Sequence, residues 1–184
     1  MSYSIHTIES APAASKPVLT DIEKAFGFIP NLSGVLAHSP LALTAYQAIS
    51  GLIQEKAALT TVEQQLVMLA VSYENECTYC MAAHSLLAGM AKVPDAAIEA
   101  LRKGALPEEP KWAALVRFAR TMTAKRGWIS EEEQQAFAAA GYNPTHTLDV
   151  VAIIALKTIS NYVNHLAHTP LDPAFARQAW TKSA

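Results

Sequence analysis

The chain has 184 residues, of which 51% are apolar and 16% charged, and its formal net charge is −2. The length predicts one domain with a substantial core, residues 1–184, that begins with an extended arm, residues 1–16. The charge is nearly balanced, with no basic run and no acidic tail, which argues against a nucleic-acid partner or an anionic membrane surface.

Nine segments combine a helix start signal with apolar residues at helical spacing. A capping residue or an early proline opens each of them, at Thr20, Ser39, Thr60, Asn75, Pro94, Glu108, Ser130, Asn143 and Asp172. Glycine or proline closes several of them, at Gly27, Gly104, Gly127, Gly141 and Pro170. No two alternating segments are joined by Asn-Gly or Asp-Gly, the usual sign of a β-hairpin. The sequence therefore predicts an all-α protein of about seven to nine helices.

Residues that can carry out redox chemistry are concentrated at the start of the fourth predicted helix. The two cysteines of the chain, Cys77 and Cys80, lie three residues apart, and His84 follows four residues later. On a helix, these spacings place the three side chains on one face, and the free N–H groups of the first turn favour a thiolate. A thiolate can attack a peroxide, and a second thiol can then close a disulfide with the resulting sulfenic acid. The spacing predicts a redox-active dithiol with a histidine as proton carrier.

Other interpretations of the cysteine pair stay open. The two thiols could be inert core residues, or Cys77, Cys80 and His84 could bind zinc. Structural zinc usually needs a second ligand pair, and no other cysteine exists. Covalent haem attachment needs a histidine directly after the second cysteine, where this chain has Met81. We therefore predict no metal and no cofactor, and keep a non-enzymatic redox sensor as an alternative function.

The segment Leu59 to Gly89, with its core Glu-Asn-Glu-Cys-Thr-Tyr-Cys-Met-Ala-Ala-His-Ser, resembles the carboxymuconolactone decarboxylase and AhpD-like alkylhydroperoxidase family. The stretch Ala155 to Asp172 resembles one branch of the same proteins. The resemblance implies an AhpD-like array of packed helices that forms dimers, trimers or hexamers. It also implies a thiol-dependent peroxidase that reduces small organic hydroperoxides and is recycled by a dithiol reductant, either a protein or a lipoyl-type group. The decarboxylase branch, which does not rely on the cysteine pair, is an alternative enzyme function.

The resemblance also implies roles for single residues. Cys80 would attack the peroxide, Cys77 would resolve the sulfenic acid, and His84 would belong to the proton relay. The alkylhydroperoxidases have a relay glutamate at the position of Gln65, and a neutral amide cannot act as a base. Glu63 is the nearest acid on that helix and is therefore a candidate catalytic residue, although a capping box would explain it equally well.

Three further residues are candidates for substrate binding. Tyr79 lies between the two cysteines and could shape access to them. His165 and Asn161 are polar residues four apart on an apolar helix, where they could line a pocket. We expect no membrane span, because the apolar stretches are broken by charged residues, and the N-terminus lacks the pattern of a secretory signal, so we expect a cytoplasmic protein. The low charged fraction favours a homo-oligomer that hides apolar surface.

Overall fold

The structure, a computed structural model, describes residues 2–182, and this part of the chain contains helices and no β-strand. Its nine α-helices are α1 (Lys16–Phe26), α2 (Asn31–Leu36), α3 (Pro40–Lys56), α4 (Thr61–Glu74), α5 (Thr78–Met90), α6 (Asp95–Arg102), α7 (Pro110–Ala124), α8 (Glu131–Ala139) and α9 (Pro144–Ala167). Two short 3-10 helices, Ala13–Ser15 and Pro173–Gln178, precede α1 and follow α9. The all-α prediction is confirmed.

Four of the nine predicted helix starts are confirmed by side chains that cap them. Ser39 accepts a hydrogen bond from the Ala42 N–H at the start of α3, and Asn143 caps α9. Complete capping boxes open α4 and α8, where Thr60 and Ser130 pair with a glutamate three residues later. These caps satisfy N–H groups that have no partner within the helix, which explains why short local motifs predicted them well.

Three predictions about the N-terminal third were wrong. Helix α1 begins at Lys16 rather than after Thr20, because a proline occupies its first turn and favours an earlier start. The Thr20 hydroxyl instead donates to the Lys16 carbonyl inside the helix. Helix α2 was not predicted, and the non-helical arm ends at Pro12, where the first 3-10 helix begins. The arm lies against α2, where the His6 N–H donates to the Gly34 carbonyl at 3.1 Å.

Helix α4 lies at the centre of the array and packs against α5, α6, α7 and α9. The buried apolar side chains form two clusters. The larger core joins α4 with α6, α7, α8 and α9, and the smaller core joins α1, α2 and α3 with the start of α5 and the second 3-10 helix. Both cysteines belong to the smaller core, so the dithiol lies beside the main core of the protein rather than inside it.

Helix α9 corrects the expectation that no segment could span a membrane. By length and composition alone it would suffice, and it is the one helix within residues 2–182 that passes this test. The same helix packs against α2, α3, α4, α5 and α7. Core helices that many neighbours surround are also apolar over a long stretch, which gives its composition a structural explanation.

Candidate functional site

The cysteine helix begins two residues later than predicted, with Cys77 rather than Asn75 at its N-cap. Asn75 ends α4 instead of opening α5, and Glu76, with a φ of 55°, breaks the helical path between them. Cys77 then occupies the N-cap position of α5 in an extended conformation, and Cys80 lies in the first helical turn. Because of this sharp turn, Cys77 occupies the cap position of α5, whereas Cys80 is part of the helix itself.

A cavity of about 530 Å³ opens beside α5. Cys80 and His84 lie on its wall, whereas Cys77 does not line it, so only one of the two sulfurs faces the cavity. Most of the wall is apolar, formed by Phe26, Leu32, Met68, Leu87, Leu156 and Phe175. Several polar side chains complete it, namely Tyr46, Gln47, Ser50, Gln54, Gln64 and Gln65. A small organic molecule with an apolar body fits such a lining.

The two thiols differ in acidity, although both are buried. Burial raises the pKa of Cys80, but a hydrogen bond from the Cys77 thiol, the charge of Lys157 and the Asn164 amide together hold it well below the usual thiol range. The same hydrogen bond, burial and the charge on Cys80 raise the pKa of Cys77. Cys80 is therefore the more acidic sulfur of the pair, and Cys77 keeps its proton to higher pH.

One face of α9 lies against the dithiol and is polar. It consists of Lys157, Ser160, Asn161 and Asn164, all of which are buried. The Asn164 amide nitrogen donates to the Cys80 sulfur at 3.3 Å and lies 3.9 Å from the Cys77 sulfur. Lys157 has no exposed surface, and its ammonium has no hydrogen-bond partner. We call these four residues the polar face of α9.

The His84 ring lies on the cavity wall but does not form a hydrogen bond to either sulfur. Its Nδ1 donates to the Gln65 side-chain oxygen at 3.0 Å, which leaves the lone pair on Nε2. Burial and the charge of Lys157 hold the pKa of His84 well below its usual value, so the ring is neutral at pH 7. Gln65 on α4 therefore orients the ring.

Glu63 was a candidate catalytic residue, and the structure places it away from the cavity. Its carboxylate accepts hydrogen bonds from the N–H and hydroxyl of Thr60 and from the hydroxyl of Tyr142, all at 2.9 Å. Lys111 adds an ion pair at 3.5 Å. Because Glu63 is two residues from Gln65, it points from a different side of α4, and the capping-box explanation is the one that the structure supports.

The three candidate binding residues are placed differently from one another. Tyr79 lines the cavity, and its hydroxyl donates a short hydrogen bond to the buried Asp172. Asn161 is buried on the polar face of α9 and accepts from the Asn75 side chain at 2.9 Å, outside the cavity wall. His165 is exposed and does not line the cavity.

The zinc interpretation needs a cluster of ligands. Within residues 2–182, no group of three or more His, Cys, Asp or Glu side chains is arranged to hold a metal ion. The amide contacts of Asn164 and Gln65 already orient Cys80 and His84. These contacts suit a thiolate and a neutral imidazole that act as separate groups.

Comparison with known proteins gives a family and a set of similar folds. Residues 40–121 match the model of the carboxymuconolactone decarboxylase family. The matched segment is similar to that family and makes up less than half of the chain. It spans α3 to α7, including both cysteines and His84, while α9 with its polar face lies outside the match. No curated protein sequence matches the chain.

Solved structures match the carboxymuconolactone decarboxylase-family segment together with the helices on either side of it. An alkylhydroperoxidase AhpD core, a peroxidase-related protein from Ralstonia eutropha JMP134, has a TM-score of 0.81 at 22% identity, covering 94% of this chain and 93% of that one. A peroxidase-related protein from Silicibacter sp. TM1040 has a TM-score of 0.80 at 18% identity, covering 95% and 92%. A cysteine-to-alanine variant of the debrominase Bmp8, in complex with 2,3,4-tribromopyrrole, has a TM-score of 0.79 at 17% identity, covering 97% and 95%. At these identities the likeness establishes the AhpD-like fold.

Sequence reasoning missed Lys157 and Asn164 as members of the site. A signal for both exists in the helical spacing of α9. Lys157 and Asn164 continue the buried positions of Val150 and Ile153 at intervals of three, four and seven residues. A lysine at a core-facing position is unusual enough to indicate a function, because buried charges need a partner.

Proposed function

We propose that the protein is a thiol-dependent peroxidase for small organic hydroperoxides. The observation that carries the proposal is the arrangement of the dithiol: Cys80 lies on the cavity wall and accepts a hydrogen bond from the Asn164 amide, its pKa is well below the usual thiol range, and Cys77 lies three residues away off the wall. The family segment and the peroxidase-related neighbours are compatible with this activity. Cys80 is the attacking thiolate and Cys77 the resolving thiol.

The reaction proceeds in three balanced steps. The Cys80 thiolate attacks the outer peroxide oxygen, which forms a Cys80 sulfenic acid and releases an alkoxide that takes a proton from water. The Cys77 thiol then attacks the Cys80 sulfur, and water leaves as the disulfide closes. An external dithiol reduces this disulfide by thiol–disulfide exchange and is itself oxidised to a disulfide.

The shape and lining of the cavity define the class of substrate. Its apolar residues accept the organic group of a hydroperoxide, and the amides around them can hydrogen-bond the peroxide oxygens. We therefore propose that alkyl and aryl hydroperoxides react faster than hydrogen peroxide, which has no apolar part to fill the cavity.

The proton relay of this protein does not use a carboxylate beside the dithiol. The Glu63 carboxylate forms hydrogen bonds with Thr60 and Tyr142 and an ion pair with Lys111. Gln65 lies at the position where the alkylhydroperoxidases have the relay glutamate. Gln65 instead fixes the tautomer of His84, so that the free Nε2 of a neutral ring is the one basic nitrogen that the described residues place on the cavity wall. We propose that this nitrogen accepts and returns protons during turnover.

Peroxide consumption by reduced protein tests the function. With cumene hydroperoxide as substrate and dithiothreitol as reductant, Cys80→Ser should lower the rate by about a thousandfold or more, because no other thiol lines the cavity. Cys77→Ser should consume about one equivalent and then stop as a trappable sulfenic acid. Thr78→Ala, which changes an exposed residue between the two cysteines, is the matched control and should keep the activity of the parent.

Three outcomes would contradict the proposal. Peroxide consumption by Cys80→Ser at the parental rate would exclude the dithiol mechanism. Oxidation of the parent no faster than that of free cysteine would favour a redox sensor. Turnover of a lactone that does not depend on either cysteine would favour the decarboxylase branch of the family.

A second candidate function has a specific observation in its favour. The structural neighbour Bmp8 is a debrominase. The structure of its complex with 2,3,4-tribromopyrrole matches this chain over 97% of its length. A dithiol can remove bromine reductively: an aryl bromide and two thiols give the arene, a disulfide and hydrogen bromide. Release of one bromide per disulfide from a brominated pyrrole, at a rate above that of hydroperoxide reduction, would favour this function.

We also propose that the chain assembles with copies of itself in the cytoplasm. Four large apolar side chains of α9 are exposed at helical spacing, namely Leu148, Val151, Tyr162 and Leu166. An exposed apolar stripe of this kind is typical of a protein interface. A reducing compartment would keep both cysteines as thiols between turnovers. Analytical ultracentrifugation should give a mass of two or more chains, and a monomer would contradict the assembly.

A further inference from the structure

Lys157 is the most unusual buried group in the described residues. It lies in the middle of α9, has no exposed surface, and its ammonium has no hydrogen-bond partner. Taking an ammonium out of water costs several kcal/mol unless an opposite charge offsets the loss. The other lysine and arginine ion pairs of the protein all involve carboxylates and lie nearer to solvent. Lys157 therefore needs a different partner.

The surroundings of Lys157 contain one group that can supply a negative charge. Lys157 shares the polar face of α9 with Asn164, whose amide contacts the Cys80 sulfur at 3.3 Å. The charge of Lys157 acts on Cys80, on Cys77 and on the His84 ring. None of the carboxylates in the ion pairs contacts it. Within residues 2–182, the Cys80 thiolate is the anion that this face contacts, through Asn164.

The other titratable groups around the dithiol do not offer that anion or compete for it. Tyr46 of α3 is buried, and burial and the two sulfurs raise its pKa, so it stays a neutral phenol. His84 of α5 is neutral because burial and Lys157 lower its pKa. Asp172, before the second 3-10 helix, accepts hydrogen bonds from the Tyr79 hydroxyl and from the Asn31 N–H at the start of α2.

We propose that Lys157 is the buried counter-cation of Cys80, a positioning residue that keeps the attacking sulfur charged. This inference deepens the proposed peroxidase function and rests on it for its biological meaning. Lys157 acts through the sulfur alone, since it does not line the cavity and cannot reach a substrate there.

The proposal has a consequence for the redox equilibrium of the dithiol. Reduction of the disulfide by two glutathione molecules gives the Cys80 thiolate, the Cys77 thiol, one proton and oxidised glutathione. The ammonium of Lys157 stabilises the thiolate product and has no counter-charge in the neutral disulfide. Lys157 therefore makes the disulfide easier to reduce, as expected when a charge stabilises the reduced form.

The decisive experiment compares Lys157→Met with the parent and with Lys125→Met. Methionine keeps the length and the apolar part of the side chain, while Lys125→Met removes a charge from an exposed lysine of the α7–α8 connection. We expect iodoacetamide to alkylate Cys80 about tenfold or more slowly at neutral pH in Lys157→Met, with the pH profile displaced to higher pH. Lys125→Met should react as fast as the parent. Equal rates and profiles in all three proteins would overturn the proposal.

A second measurement covers the case in which Lys157→Met does not fold. In the unmodified protein, thiolate absorbance should titrate with a midpoint well below the value of about 8.5 for a free thiol; a midpoint at or above that value would overturn the proposal. In the folded variant, the equilibrium constant for reduction by glutathione should fall about tenfold, which corresponds to about 30 mV. An unchanged or increased constant would contradict it.

The two proposals can fail separately. Slower alkylation in Lys157→Met, together with a parent that consumes no hydroperoxide, would support the ion pair and reject the peroxidase. Hydroperoxide turnover by the parent, together with alkylation that Lys157→Met leaves unchanged, would support the peroxidase and reject the ion pair.

Discussion

Two polar clusters, each with buried members, contact the central helices, and they differ in how well their groups are paired. The Glu63 cluster consists of Thr60, Glu63, Lys111 and Tyr142, and its carboxylate accepts three hydrogen bonds and an ion pair. On the polar face of α9, by contrast, Lys157 Nζ, Asn161 Nδ2 and Asn164 Oδ1 have no partner. Natural proteins satisfy nearly all buried polar groups.

The difference separates a structural role from a functional one. A cluster in which every group is paired stabilises the fold through short local contacts. A cluster with unpaired groups costs stability and is retained where its charges act on a reacting atom. We therefore expect mutations in the Glu63 cluster to change stability and mutations on the polar face of α9 to change reactivity.

The largest effect on stability should come from Glu63→Ala. It removes the acceptor of three hydrogen bonds at once and leaves the Tyr142 hydroxyl buried without its carboxylate. We expect the free energy of unfolding to fall by about 2–3 kcal/mol and the melting temperature by roughly 5–10 °C, measured by chemical and thermal denaturation. Alkylation of Cys80 should be unchanged.

The capping box of α8 provides the control, because Glu133 pairs with Ser130 in the same motif but on the surface. Glu133→Ala should therefore cost clearly less stability than Glu63→Ala. Slower alkylation of Cys80 in a folded Glu63→Ala protein would contradict the purely structural role of Glu63 and would show that Glu63 affects the reactivity of the dithiol.

A smaller effect should appear on acidification of the oxidised protein, in which no thiol titrates. The pKa of His84 is depressed in the folded state, so the unfolded chain takes up this proton first, and stability is lost as pH falls below about 6.5. The slope for one proton is at most about 1.4 kcal/mol per pH unit. His84→Gln should flatten the stability profile between about pH 6.5 and 5.

The Glu63 cluster should not contribute to that slope. The pKa of Glu63 is lowered from 4.5 by hydrogen bonds from Thr60 and Tyr142, which outweigh burial, so its contribution is lost only at lower pH. An unchanged slope in His84→Gln would show that the acid response comes from somewhere other than the dithiol site.

The smallest effect on stability is expected for Lys157→Met. The cost of burying an ammonium offsets its attraction to the thiolate, and a methionine side chain fills the same space. The free energy of unfolding of the reduced protein should change by no more than about 1 kcal/mol, in either direction, by urea denaturation. A loss above about 3 kcal/mol would place Lys157 with the structural cluster.

Local motifs account for most of the correct predictions of the fold. The capping boxes at Thr60 and Ser130 and the early proline after Ser39 involve neighbours within three residues. The local sequence alone is therefore enough to predict them. The boundary between α4 and α5 was predicted less well. It depends on the left-handed backbone of Glu76, and no glycine or asparagine occupies that position to indicate it.

The candidate site was predicted in part, for a similar reason. Cys77, Cys80, Tyr79 and His84 were predicted from one short segment, and all but Cys77 line the cavity. Glu63 and His165 were placed by sequence proximity and helical spacing, and the structure directs them elsewhere. Spacing along one helix shows which side chains share a face, but it does not show which neighbour that face meets.

The sequence by itself determined the helices, most of their caps and the pairing of two thiols in one turn, because each of these depends on residues within about four positions of one another. Only the tertiary structure decided the chemistry of the thiols. The packing of α9 against α5 brings Lys157 and Asn164 to the sulfurs across about eighty residues of chain, and burial there strengthens the charge interaction that water would screen.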